Sequence, residues 1–165
     1  MILGKKNQFA VEYEVEDIID GWFLGRFRLW INNKFIGDWE DSSVDLKGCF
    51  NWLPTLIDGR VSRKENSLDS MNGKEILLAI FDSVYAVPQR STIKDAFSRF
   101  HIGHVGMSSF EQFDVVLIET GETIRFIWRD FQKHVYDEQV SKTFFIGVLH
   151  ESRLTADVIF KLHTD

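Results

Sequence analysis

RFRLWINNKFIGDWED, Arg26 to Asp41, decides how the chain is to be read. Phe27, Leu29 and Ile31 alternate with Arg26, Arg28 and Trp30. That period of two marks a strand with one face in a core and one in water. Asn32-Asn33 follows, and asparagine tolerates the positive φ that a two-residue hairpin turn requires. Lys34 to Asp38 is then the returning strand. Upstream, Phe9, Val11, Tyr13 and Val15 alternate with Glu12, Glu14 and Glu16, a second half-buried strand. Its three acids suit the outward Arg26 and Arg28, so the two strands are expected to be neighbours, with cross-strand pairs worth roughly 0.2–1 kcal/mol each.

From Ser43 to Asp58 the spacing turns helical: Leu46, Phe50, Leu53 and Ile57 form one stripe, broken or kinked at Pro54 and stopped near Gly59. Arg60 to Ser67 is a polar loop. A second helix starts at Asn72 with Glu75 three residues on, a capping-box pattern, and buries Ile76, Leu77, Ile80, Phe81 and Val84 before Pro88. A short helix spans Ile93 to Phe100. Phe113 to Glu119 and Thr123 to Arg129 flank Thr120-Gly121 as a second hairpin, with Ile124, Phe126 and Trp128 on one side and Arg125, Ile127 and Arg129 on the other. Gln139 to Ile146 reads as a further strand, and Leu154, Val158, Ile159 and Leu162 as the stripe of a closing helix. The expected class is α+β: a mostly antiparallel sheet from N-terminal and C-terminal hairpins, packed against a helical middle and a C-terminal helix, in one domain over residues 1–165.

The 165 residues include 15 Phe and 5 Trp, enough for a sizeable core. Net charge is −6, from 25 acids and 19 bases, which argues against nucleic acid and against anionic membranes as partners. It suits a basic partner. No apolar run approaches the roughly 20 residues that span a bilayer. The single Cys49 excludes an internal disulfide, and MILGKKNQFAVEYEV has no uninterrupted apolar stretch of the signal-peptide kind, so the protein reads as cytoplasmic.

Chemistry is hard to find. His101 and His104 lack further ligands at metal spacing, and two exposed loop histidines are the simpler account. Cys49 lies between Leu46 and Phe50 on the apolar side of its helix, where cysteine serves as a small hydrophobe. Glu12, Glu14 and Glu16 sit on the wet face near arginines, which keeps them ionised. Phosphate-loop, dinucleotide and nucleophile-elbow motifs are absent. The reading is therefore no catalytic residue, no cofactor and no metal. What stands out is acid mixed with tryptophan: Asp20 and Trp22 before the hairpin, and Asp38, Trp39, Glu40 and Asp41 after it. Tryptophan offers much rigid area at little entropic cost, so these six are the candidate contact surface. The same tryptophans can equally cap the edge of the core.

MILGKKNQFAVEYEV and GWFLGRFRLWINNKFIGDWEDSSVDL together resemble the immunity protein 42 family of bacterial polymorphic toxin systems. The matching residues are Phe9, Ala10, Trp22, Gly25, Phe27, Trp30, Ile31, Asn32, Ile36, Gly37 and Asp38. Asn33 departs from the glycine of the family pattern; either residue fits a tight turn. The resemblance is strongest over the first third, and later elements match in order only. It implies a non-enzymatic cytoplasmic protein that binds the toxic C-terminal domain of a cognate contact-dependent inhibition toxin and protects the producing cell. Many such toxins are nucleases with basic clefts, which an acidic inhibitor complements. No binding residue of the family carries over to a position here. The expected state alone is a monomer or weak dimer, through an exposed sheet edge. Two rival functions are a small hydrolase using carboxylates and His101 or His104, and a general adaptor or ligand-sensing module.

Overall fold

The computed structural model describes residues 1–57, 62–85, 93–103 and 107–161, with backbone alone for 82–85. Every strand pairing among them is antiparallel. β1 (Ile2–Gly4), β2 (Phe9–Ile19), β3 (Trp22–Ile31), β4 (Lys34–Ile36) and β5 (Val44–Asp45) form one sheet, ordered β1-β2-β3-β4 with β5 also on β3. The expected register holds: Glu12 lies opposite Arg28 and Glu14 opposite Arg26. A bulge between Val15 and Asp17 ends the clean alternation of β2, and Val15 is exposed. Asn32 and Asn33, at φ 49° and 65°, make the turn into β4.

β6 (Asp114–Thr120), β7 (Thr123–Arg129) and β8 (Val135–Ser141) form a separate three-stranded sheet. The α+β, antiparallel reading therefore stands, with the hairpins building two sheets. Between them lies α4 (Lys142–Lys161), with α1 (Leu46–Trp52) packed on the first sheet and on α4, in a core where the Phe145 ring meets Phe9 at 4.7 Å and Phe126 at 5.6 Å. The other face of the second sheet is covered by α2 (Gly73–Tyr85) and α3 (Ala96–Phe100), which bury Val116, Ile118 and Ile127. Burial on both faces is why Val115 to Ile118 is continuously apolar.

Pro54 marks the change from α1 to a 3-10 turn over Leu53–Leu56. Asn72 and Glu75 close the capping box, each side chain accepting the other's backbone N–H at 3.0 and 2.9 Å. Gly59, Pro88, His104 and Leu162 lie outside the described residues, as does the Val84 side chain.

Two expectations at the C-terminal end are corrected. The strand placed over Gln139 to Ile146 ends at Ser141, whose hydroxyl accepts the Phe144 N–H at 3.4 Å and starts α4. Phe145, Val148, Leu149, Ser152 and Ala156 recur at helical spacing and fill the core, which overrides the strand preference of the local aromatic run. The stripe through Leu154 and Val158 is not the buried one: both are largely exposed, while Ile159 packs on the core.

Candidate functional site

The outer face of β3 organises the site. Glu12 of β2 accepts from Arg28 Nε at 2.6 Å, Trp30 Nε1 at 2.6 Å and Lys6 Nζ at 3.1 Å. Burial works to raise its pKa, but these three donors outweigh burial and hold the carboxyl below its ordinary value. Arg28 lies 4.6 Å from the Trp30 ring and 4.3 Å from the Trp39 ring, and Lys6 lies 4.3 Å from Trp30. Cations and indoles thus alternate in the order Lys6, Trp30, Arg28, Trp39.

The segment after β4 folds over this face because Gly37 permits it. Its φ is +117°, and a Cβ there would come within 2.9 Å of the Phe27 carbonyl. The Asp38 N–H donates to the Ser109 carbonyl at 2.8 Å, and the Asp38 carboxylate accepts the Glu40 N–H at 2.9 Å. The Trp39 carbonyl accepts from Arg26 Nη1 at 3.1 Å. Asp41 accepts from the Ser43 hydroxyl and from Ser108; burial opposes ionisation, yet these bonds hold its pKa low. Asp38 and Asp41 therefore shape their own loop, whereas Glu40 projects into solvent.

Across from this loop stands a wall built by the segment before β6 and by the β7–β8 turn. Asp130 shapes that turn, accepting the His134 N–H at 2.9 Å and the Tyr136 hydroxyl at 3.2 Å. The turn carries Phe131 outward, 60% exposed. Between the walls runs a groove of two lobes. The larger, about 370 Å³, has Arg28, Asp38, Trp39 and Glu40 on one side and Gln112 on the other. The smaller, about 220 Å³, lies among Asn33, Lys34, Asp130 and Tyr136. Phe35, Phe113 and Phe131 line both. Lys34 and Asn32 both bond Glu138 of β8, which ties the two sheets together beside the smaller lobe. A further hollow of about 410 Å³, between the 3-10 turn and α4, carries His150 and Arg153.

The six residues singled out from sequence do not form one surface. Asp38, Trp39 and Glu40 line the groove, and Asp41 supports it from behind. Asp20 and Trp22 sit at the β2–β3 turn, where Asp20 has φ 49° and Trp22 is exposed beside Ile18 and Ile19. Trp22 and Arg28 are six strand steps apart, roughly 20 Å. Sequence reasoning missed Phe35 and Phe131. The signal for Phe35 was present: Ile36 points inward, so its neighbour must point out, opposite Trp30. Phe131 gave a weaker sign, an aromatic ring in an otherwise polar turn.

The groups a hydrolase would draw on are apart. Glu12 is on the first sheet, while His101 bridges to Val116 of the second. The His101 ring stacks on Phe97 at 4.4 Å, and its burial lowers the pKa. Cys49 is fully buried, which pushes its thiol pKa far up. Among the described residues no three His, Cys, Asp or Glu side chains converge as metal ligands, and no helix is long and apolar enough to cross a membrane.

The sequence model of a family described as Immunity protein 42 matches residues 1–155. The fold is similar to the crystal structure of CdiI from Burkholderia dolosa AUO158, with a TM-score of 0.71 and 15% identity, over 94% of this chain and 99% of that one. A comparison with curated proteins found no match.

Proposed function

The chain belongs to the immunity protein 42 family, and from that premise we propose that it binds the toxic C-terminal domain of a cognate contact-dependent inhibition toxin and silences it. The match over residues 1–155 carries this reading. It acts by occupying its partner and catalyses nothing. It works in the cytoplasm of the producing cell, as a monomer or weak dimer until it meets the toxin. Its net charge of −6 supports a basic toxin domain, and a nuclease with a phosphate-binding cleft is the kind of partner that fits. The contact face is the groove with Asp38, Trp39 and Glu40; Asp41 holds the loop in place, and Asp20 with Trp22 forms a separate outer contact.

Co-expression tests the reading. The toxin domain encoded beside this chain, produced alone, is expected to stop growth, and the chain supplied with it is expected to restore growth by forming a stoichiometric complex. If growth still stops while both proteins are soluble and abundant, the reading fails. Turnover of ester or phosphodiester substrates by the purified chain, lost on substitution of Glu12 or His101, would replace it with the hydrolase.

A further inference from the structure

Resting on that reading, we propose that the larger lobe of the groove is a receptor for one arginine side chain, presented by a protruding loop of the toxin domain.

Charge is the first reason. Arg28 pairs with Glu12 at 2.6 Å, a carboxylate that Lys6 shares at 3.1 Å, and Arg26 pairs with Glu16 at 2.7 Å. Among the described residues Asp38 and Glu40 have no cation within ion-pair distance, while Glu40 acts on Arg26 from farther off. The lobe therefore presents the half-buried Asp38 and the exposed Glu40 carboxylates to an incoming cation, beside the paired Arg28. The second reason is the lining. Trp39, Phe35 and Phe131 line the same lobe, and Arg28 already lies over the Trp39 ring at 4.3 Å and the Phe35 ring at 5.3 Å. A guanidinium is planar, stacks on rings and can bridge carboxylates with its forked donors; a lysine ammonium is more strongly hydrated and does this less well. The protein already uses this chemistry, since the pile Lys6, Trp30, Arg28, Trp39 ends on a ring that lines the lobe. An arriving arginine continues the alternation.

Size and continuity point to a protein loop as the bearer of that arginine. The lobe, about 370 Å³, is at the small end of the roughly 300–1,000 Å³ range of ligand pockets, enough for one or two side chains. It opens into the second lobe past the exposed Phe35 and Phe131 rings, a surface that suits the apolar neighbours of an arginine in a loop.

The test is a double-mutant cycle between this chain and the catalytically disabled toxin domain, read by surface plasmon resonance. Glu40→Gln and Phe131→Ala are each expected to weaken binding at least tenfold. The first combines slower association with faster dissociation, and the second acts on dissociation. Both side chains are exposed, so an unchanged thermal midpoint certifies the fold; Glu151→Gln on α4 is the control and is expected to bind as the unmodified chain does. Among alanine substitutions of the toxin's arginines, one is expected to lose most of its effect in the Glu40→Gln background. Lysine at that toxin position is expected to recover only part of the affinity. If Glu40→Gln and Phe131→Ala bind normally while the unmodified chain still rescues growth, the receptor is refuted and the immunity reading survives. The receptor is equally refuted if no toxin arginine couples to Glu40. A chain that neither binds nor rescues removes both.

Discussion

Glu12 takes three donors from three different residues of the outer face. Its fold-favoured form is the carboxylate, so its contribution is fully present above the ordinary pKa near 4.5 and is lost as pH falls through the lower folded value. Glu12→Gln is expected to cost about 1–3 kcal/mol at neutral pH in urea unfolding. The gap to the unmodified protein should narrow below pH 4.5. A gap constant down to pH 3 would deny the ionic share. Gly37 makes a sharper residue-scale case. Alanine there faces both the +117° φ and the 2.9 Å approach to the Phe27 carbonyl. A loss of about 1–3 kcal/mol is expected, with a fall in Trp39 order seen by fluorescence as the loop lifts from Arg28.

At the scale of elements, α4 is where local pattern and tertiary demand part. QVSKTFFI, Gln139 to Ile146, reads as strand, yet Ser141 caps a helix. Ser141→Ala should cost about 0.5–2 kcal/mol. The two stripes of α4 give a direct contrast. Phe145→Ala empties the space between Phe9 and Phe126 and should cost about 3–5 kcal/mol. Leu154→Gln, on a side chain 69% exposed, should stay within about 0.5 kcal/mol. Thermal or urea melts decide both, and equal losses would place the wrong stripe in the core. α2 shows the opposite case, since its capping box and buried Ile76, Leu77 and Ile80 were readable from spacing alone.

For the whole molecule, the consequence is kinetic. A chain of net charge −6 meeting a basic toxin should associate faster at low salt, because exposed charges are screened over about 10 Å at 0.1 M. Charge reversal at Glu40 is the clean probe, since Asp38 and Asp41 also hold the loop. Glu40→Lys is expected to slow association and flatten its salt dependence, and Asp20→Lys, at the β2–β3 turn away from the groove, to do less. Equal effects at the two positions would show that only total charge matters.

Period-two alternation fixed the first hairpin, its asparagine turn and the pairing of Glu12 and Glu14 with Arg28 and Arg26, because a strand's side chains must take sides and the burial of one side is local information. The density of acids with tryptophan drew attention to Asp38 to Asp41. What only the tertiary structure decided is where those residues go. The groove exists because residues 73 to 96 positions apart in sequence, Phe35 to Trp39 and Gln112 to Phe131, are brought together by two separate sheets sharing one core. It also separates Trp22 from Trp39, neighbours in composition but not in space. Helix α4 follows the same logic: a run that suits either strand or helix is settled by the cavity it has to fill, and that cavity is made by distant parts of the chain.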